Sequence, residues 1–245
     1  MSTLLSFQDV RAGYGRTDVL SSLSFSVEKG QVLGVIGPNG SGKTTMLNAL
    51  SGMIHLSGGR ILFEGKDISS LSPDARCHQG IARTFQIPRP FERMTVFENV
   101  LAASVFGAGM SERTAREPTL EILKTTGLYD RCNQRAGNLM LLDRKRLEIA
   151  RAIASRPKLL LLDEVAAGLT VSEVKDVIEI VSGLKAIGFT IIWIEHMIDA
   201  LVKSVSELMC MAAGQCVLQG DPMEVIHSQI VESLYLGDQS EGVRA

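Results

Sequence analysis

Apolar and polar residues alternate in short runs over the first 35 positions, where LLSFQDV, SLSFSV and QVLGVIG are separated by glycine-rich turns. Runs of this kind predict strands, and their close succession predicts an antiparallel edge. From about 44 to 51 the pattern turns helical, and GGRILFEGKDI returns it to strand. Positions from about 92 to 155 read as mainly helical. Within them, 111–127 has the charged, periodic look of an exposed helix, and RKRLEIARAIAS at 144–155 is amphipathic. Two later runs, KLLLLDE and FTIIWIEH, are apolar and almost uninterrupted. Strands buried on both faces of a parallel sheet read that way, and the helical stretches between them follow βαβ logic. The pattern predicts an α/β fold with Trp193 packed in its core.

The turn after QVLGVIG carries the first candidate chemistry. Gly37, Pro38, Asn39, Gly40, Ser41, Gly42, Lys43 and Thr44 spell GxxxxGK[ST], directly after a strand and directly before a helix. Glycines let backbone N–H groups curl around phosphates, and the helix start adds the positive end of its dipole. Lys43 can reach β- and γ-phosphates, and the Thr44 hydroxyl can ligate Mg²⁺, with Thr45 next in the same helix turn. The loop predicts triphosphate binding.

Leu159 to Leu162 lead into Asp163 and Glu164. An acid at the exit of a buried strand suits Mg²⁺, held directly or through water, which assigns Asp163. Glu164 points the other way and is the candidate for orienting and polarising an attacking water. His196 ends the second buried strand, where an imidazole could steady the γ-phosphate and the water-polarising acid. His55, His78 and His227 sit in no such context.

Composition narrows the partners. Formal charge is −2, from 25 basic and 27 acidic residues, so nucleic acid is not expected as an electrostatic partner. The 45% of apolar residues suffices for a core. No apolar run approaches the roughly 20 residues of a membrane helix. MSTLLSFQDV lacks the basic start and cleavage site of a signal peptide. Cys77, Cys132, Cys210 and Cys216 form no CxxC pair or metal-ligand spacing and read as reduced thiols of a cytoplasmic protein. A membrane role would have to come through other chains.

Phosphate loop, paired acids and histidine, in this order and spacing, resemble the ATPase subunit of ABC transporters. The resemblance covers nearly the whole chain. It implies a P-loop NTPase with a RecA-like core, an antiparallel β subdomain and a helical subdomain near 90–155, all within one ABC domain at 1–245. By resemblance, Tyr14 in GYGRTDVL stacks on adenine. Gln86 in GIARTFQ touches Mg²⁺ and the water while reporting to the membrane subunit. Asp163 and Glu164 are the Walker B pair, His196 is the switch histidine, and AAGLT at 166–170 is the D-loop. GIARTFQIPRPFERMTVFENVLAA, RLEIARAIASRPKLLLLDE and the tail ending ESLYLG look like the branched-chain amino acid uptake ATPases. That branch implies ATP and Mg²⁺ as cofactors, permease subunits in the membrane, a second and different ATPase subunit, and an extracytoplasmic solute-binding protein acting indirectly. The expected place is the cytoplasmic face of the membrane.

The chain departs from the family at the signature, usually LSGGQ. Its positions here are Leu139, Met140, Leu141, Leu142 and Asp143, without glycine or serine. Leucines leave less room for close approach, and Asp143 would place a negative charge near phosphate, unless it is simply the N-cap of the following helix. Val165 replaces a common proline, and Thr170 stands where Asp or Asn is usual. Two other readings stay open: a nucleotide-binding regulatory subunit with weak hydrolysis, and a soluble non-transport ABC ATPase. Glu164 and His196 weigh against the first. The second would usually carry tandem ATPase domains or a long coiled-coil insertion, and this chain has neither.

Overall fold

A computed structural model describes residues 2–15 and 17–241, with the backbone alone at 199, 200 and 236–241. In chain order the elements are β1 (Thr3–Tyr14), β2 (Thr17–Glu28), β3 (Val32–Ile36), α1 (Lys43–Leu50), β4 (Leu56–Phe63), β5 (Lys66–Asp67), α2 (Pro73–Gln79) and β6 (Ile81–Arg83). They continue with α3 (Val96–Phe106), α4 (Glu112–Thr125), α5 (Leu141–Ala154), β7 (Leu159–Asp163), α6 (Val171–Ala186) and β8 (Thr190–Ile194). The last are α7 (Ile198–Val202), β9 (Glu207–Ala212), β10 (Gln215–Gly220), α8 (Pro222–Ile226) and α9 (Gln229–Glu241). The elements fall into two compact units, Met1–Pro73 with Thr190–Ala245, and Asp74–Phe189.

In the first unit β1 pairs antiparallel with β2 and β4, the edge expected from the alternating runs. Leu5, Phe7, Val10 and Ala12 of β1 face inward with Leu20, Leu23, Phe25 and Val27 of β2, and Phe7 stacks on Phe25 at 4.6 Å. A second set of strands runs β10–β9–β3–β8, with β3 parallel to both β8 and β9. All five residues of β3 and of β8 are buried, as two-sided burial requires. Trp193 is 1% exposed, in the core as expected, and its indole N–H donates to Glu195.

The four cysteines are unpaired thiols. Cys210 on β9 is fully buried, and burial pushes its thiol from 9.0 up to about 11, with Cys216 adding to the shift and Lys43 opposing it. The fold holds this thiol neutral, whereas the unfolded chain ionises it freely. Its contribution to stability is therefore complete below pH 9 and lost as pH rises towards 11. Replacing Cys210 with alanine should flatten that alkaline loss by on the order of 1–3 kcal/mol, read from unfolding midpoints across pH 8–11.

In the second unit β6 lies parallel to β7, and α3, α4 and α5 enclose a core. Val96, Val100, Leu123, Leu128, Leu147 and Ala150 make up much of it. Thr95 and Glu98 form a reciprocal capping box at the start of α3, and Thr170 and Glu173 do the same for α6. Thr170, singled out above as an unusual D-loop residue, thus has a local task in starting a helix.

One expectation fails here. The helix expected from 144 begins at Leu141, and its N-cap is Met140, whose side chain accepts no hydrogen bond. Asp143 is the third residue of α5, not its cap. Its carboxylate is 4% exposed and ion-paired with Arg131 and with Arg146, so its charge is matched inside the helical unit. Burial beside two guanidinium groups favours that placement over a solvent-facing cap. A serine at position 140 would supply the missing cap. Met140→Ser should stabilise the fold by about 1 kcal/mol, raising the thermal midpoint by roughly 2–4 °C.

Candidate functional site

The first unit holds the phosphate loop, Tyr14 and His196. Gly37 leaves β3 at φ 150°, and a Cβ there would lie 2.2 Å from the carbonyl oxygen of Met211. Only glycine lets the loop turn this close to β9. Gly37→Ala should therefore cost at least about 1–3 kcal/mol in strain and disturb nucleotide binding with it, checked by unfolding and by ATP titration. Gly40 and Gly42 also have positive φ, at 76° and 100°, and Gly42 is the N-cap of α1 with no side chain on its amides. The first turn of α1 contains no acid, leaving the dipole end suited to an anion.

Lys43 is 6% exposed and folds back on the loop. Its Nζ donates to the carbonyls of Gly37 at 2.7 Å and Pro38 at 3.0 Å, and to Ser41 Oγ at 3.3 Å. Asn39, Gly40 and Thr44 are exposed, while Ser41 and Thr45 are buried. Tyr14 is 53% exposed, and its hydroxyl accepts from Asn48 Nδ2 on α1 at 2.6 Å, which fixes an open ring beside the phosphate-loop helix.

His196 is exposed and lies two residues past Ile194. Val35 is the register partner of Ile194, so continuing both parallel strands by two residues brings Gly37 and His196 to the same sheet edge. Carboxyl ends of parallel strands are where such folds bind ligands.

The second unit holds Gln86, Asp163 and Glu164. Asp163 ends β7 at 3% exposure, with its N–H on Thr84 Oγ1 at 3.2 Å. Arg83 Nη2 donates to Asp163 Oδ2 at 2.7 Å. Gln86 Nε2 donates to Glu164 Oε2 at 2.6 Å, so the structure brings these two predicted residues into direct contact. Glu164 has φ 48°, the left-handed region that a side chain rarely adopts.

Sequence reasoning missed Arg83, Lys145 and Tyr235. The Tyr235 hydroxyl accepts the Gly37 N–H at 2.9 Å, and burial raises its pKa against the lowering effect of that bond. An arginine inside the short strand run GIARTF was a usable signal, since a buried guanidinium needs a carboxylate.

Buried Asp163 in the second unit and exposed Thr44 in the first each present an oxygen donor of the hard kind that Mg²⁺ takes. Among the described residues there is no cluster of three His, Cys, Asp or Glu groups. A cation held at either residue would therefore complete its shell with phosphate oxygens and water, as Mg²⁺ does at nucleotide sites.

A family profile described as ABC transporter matches residues 20–167, which take in the phosphate loop, Gln86 and both acids. The chain belongs to the ABC transporter family of ATPases. The probable branched-chain amino acid transport ATP-binding protein LivG of Methanocaldococcus jannaschii is 35% identical, with 96% of this chain and 98% of that protein covered. The high-affinity branched-chain amino acid transport ATP-binding protein BraF of Pseudomonas aeruginosa is 33% identical, covering 92% and 94%. A nucleotide-free ATP-binding cassette from an ABC transporter superposes with TM-score 0.87 at 33% identity, covering 96% and 99%. The ADP conformation of an ABC transporter cassette gives the same TM-score and identity, covering 97% and 100%.

The P-loop NTPase fold of the ABC type is thus the fold of this chain, and ATP binding and hydrolysis are its chemistry. Among the described residues of this ABC ATPase, no helix is long and apolar enough to cross a membrane.

Proposed function

We propose that this ABC ATPase drives import of branched-chain or related amino acids through separate permease subunits at the cytoplasmic membrane face. Its likeness to LivG and BraF over more than nine-tenths of the chain carries the reading. Adenine stacks on Tyr14, and the triphosphate lies in the cradle of loop amides between Gly37 and Thr45. Lys43 exchanges its loop carbonyls for β- and γ-phosphate oxygens. Thr44, Gln86 and Asp163 are the residues that would hold Mg²⁺, which would supply neutralisation of charge on the phosphates. Glu164 polarises the attacking water, Gln86 orients it, and His196 steadies the γ-phosphate.

The segment after Gln86 suits a permease. Ile87 and Phe91 are 71% and 52% exposed, more apolar surface than a solvated loop needs. Buried Asn99 bonds both the N–H and the carbonyl of Phe91, keeping the loop shaped.

The signature supports unequal sites. In this family each ATP lies between one subunit's phosphate loop and the other's signature. Here α5 begins at an uncapped turn, with Met140 76% and Leu141 43% exposed. Apolar side chains there offer a phosphate no hydroxyl. A different ATPase subunit with an intact signature would complete the site on this chain's phosphate loop, and its own loop would face the weaker one. The same observation favours the second reading, a regulatory subunit with weak hydrolysis.

Uptake of labelled leucine, isoleucine and valine by cells lacking the chain tests both. Uptake should fall and return with the wild-type chain but not with Glu164→Gln. Undiminished uptake would overturn the solute class, and rescue by Glu164→Gln would favour the regulatory reading.

A further inference from the structure

Lys145 lies on the first turns of α5 and is 2% exposed, an uncommon place for an ammonium. Its Nζ donates to the carbonyl oxygen of Gln86 at 2.6 Å and to that of Glu164 at 3.0 Å. The side chains of those same two residues meet, Gln86 Nε2 on Glu164 Oε2 at 2.6 Å. Lys145 therefore clamps, from behind, the backbones of the two residues whose side chains touch in front.

The clamp answers a strain. A side chain at φ 48° is strained relative to the right-handed alternative, and persists only where its surroundings over-determine it. A charged donor on the Glu164 carbonyl is the kind of bond that holds such a conformation. Lysine suits the position because one nitrogen carries three donors on a flexible stem and can serve two carbonyls. The same face of α5 holds the rest of the segment: Glu148 accepts the Arg89 N–H at 2.9 Å, and Arg151 donates to the Arg89 carbonyl at 2.8 Å. Leu141, where α5 begins, is about one helical turn from Lys145.

We infer that Lys145 is a positioning residue that fixes the Gln86 amide and the Glu164 carboxylate as one unit with the signature helix α5, so that water attack depends on it. The inference rests on the proposed role of Glu164 and adds the group that sets its geometry.

Crystal structures of the full chain carrying Lys145→Met and Lys145→Arg test it, together with hydrolysis and ATP affinity. In Lys145→Met the Gln86–Glu164 separation should exceed about 3.5 Å and Glu164 should leave positive φ, whereas Lys145→Arg should keep the contact. Single-turnover hydrolysis should fall roughly ten- to hundredfold with ATP affinity within about twofold. In a Gln86→Ala background the same substitution should cost less than about threefold, because both changes act through one contact. Lys145→Gln, a shorter neutral donor, gives the same test if the methionine variant does not fold. An unchanged Gln86–Glu164 contact in Lys145→Met overturns the inference, as does an undiminished effect in the Gln86→Ala background. Failure of the underlying reading looks different: Glu164→Gln would then hydrolyse normally, whatever the Lys145 structures show.

Discussion

Glu164→Gln should lower phosphate release by about 10²–10⁴-fold while leaving ATP affinity within a few fold, measured in the presence of the proposed partner ATPase subunit. The substitution keeps the size of the side chain and an oxygen able to accept the Gln86 amide, the 2.6 Å contact of the present site. It removes the charge and basicity that a water needs to give up a proton. Asp163, buried one residue earlier and paired with Arg83, is untouched and continues to hold its place at the strand end. Binding and turnover therefore separate. A variant that binds ATP and turns over normally would take the water-polarising role away from Glu164.

Lys43→Ala should act on the other half of the chemistry. Lys43 bonds the Gly37 and Pro38 carbonyls and Ser41 Oγ, so its ammonium is stored inside the phosphate loop rather than out in solvent. Moving to phosphate oxygens exchanges neutral acceptors for charged ones. Hydrogen bonds to charged groups contribute about 1.5–3 kcal/mol each. Losing one or two of them, less what the loop carbonyls gave, weakens ATP binding by about 5- to 1000-fold. Hydrolysis should fall with it, unlike the Glu164 variant, because the same charge supports the transition state. Fluorescent-nucleotide titration of both variants side by side distinguishes the two patterns.

Much of the fold and the elements that carry the candidate site were legible because their signals are local. A glycine-rich turn between a strand and a helix must look like 37–44, and a strand buried on both faces must look like the four leucines before Asp163. Residues that work through partners far along the chain were not legible. Arg83 meets Asp163 across 80 positions, and Tyr235 meets Gly37 across 198. Lys145 reads in sequence as a solvated helix charge, and only the packing of α5 turns it inward. One of the two readings left open for Asp143, the N-cap, fails for a related reason. Aspartate ahead of an amphipathic run is a good cap on paper, but Arg131 lies 12 positions upstream and draws the carboxylate into the unit. The true cap, Met140, carries no polar group to announce it.

The decisive measurement is Mg²⁺-dependent phosphate release by the purified chain, alone and mixed with the proposed partner ATPase subunit. Little release alone and strong release in the mixture, abolished by Glu164→Gln in this chain, is the predicted result. High, equal turnover from the chain alone would contradict the unequal sites. No release in either case despite tight ATP binding would contradict the motor itself and leave a regulatory subunit, with the leucines at 141 and 142 as the cause.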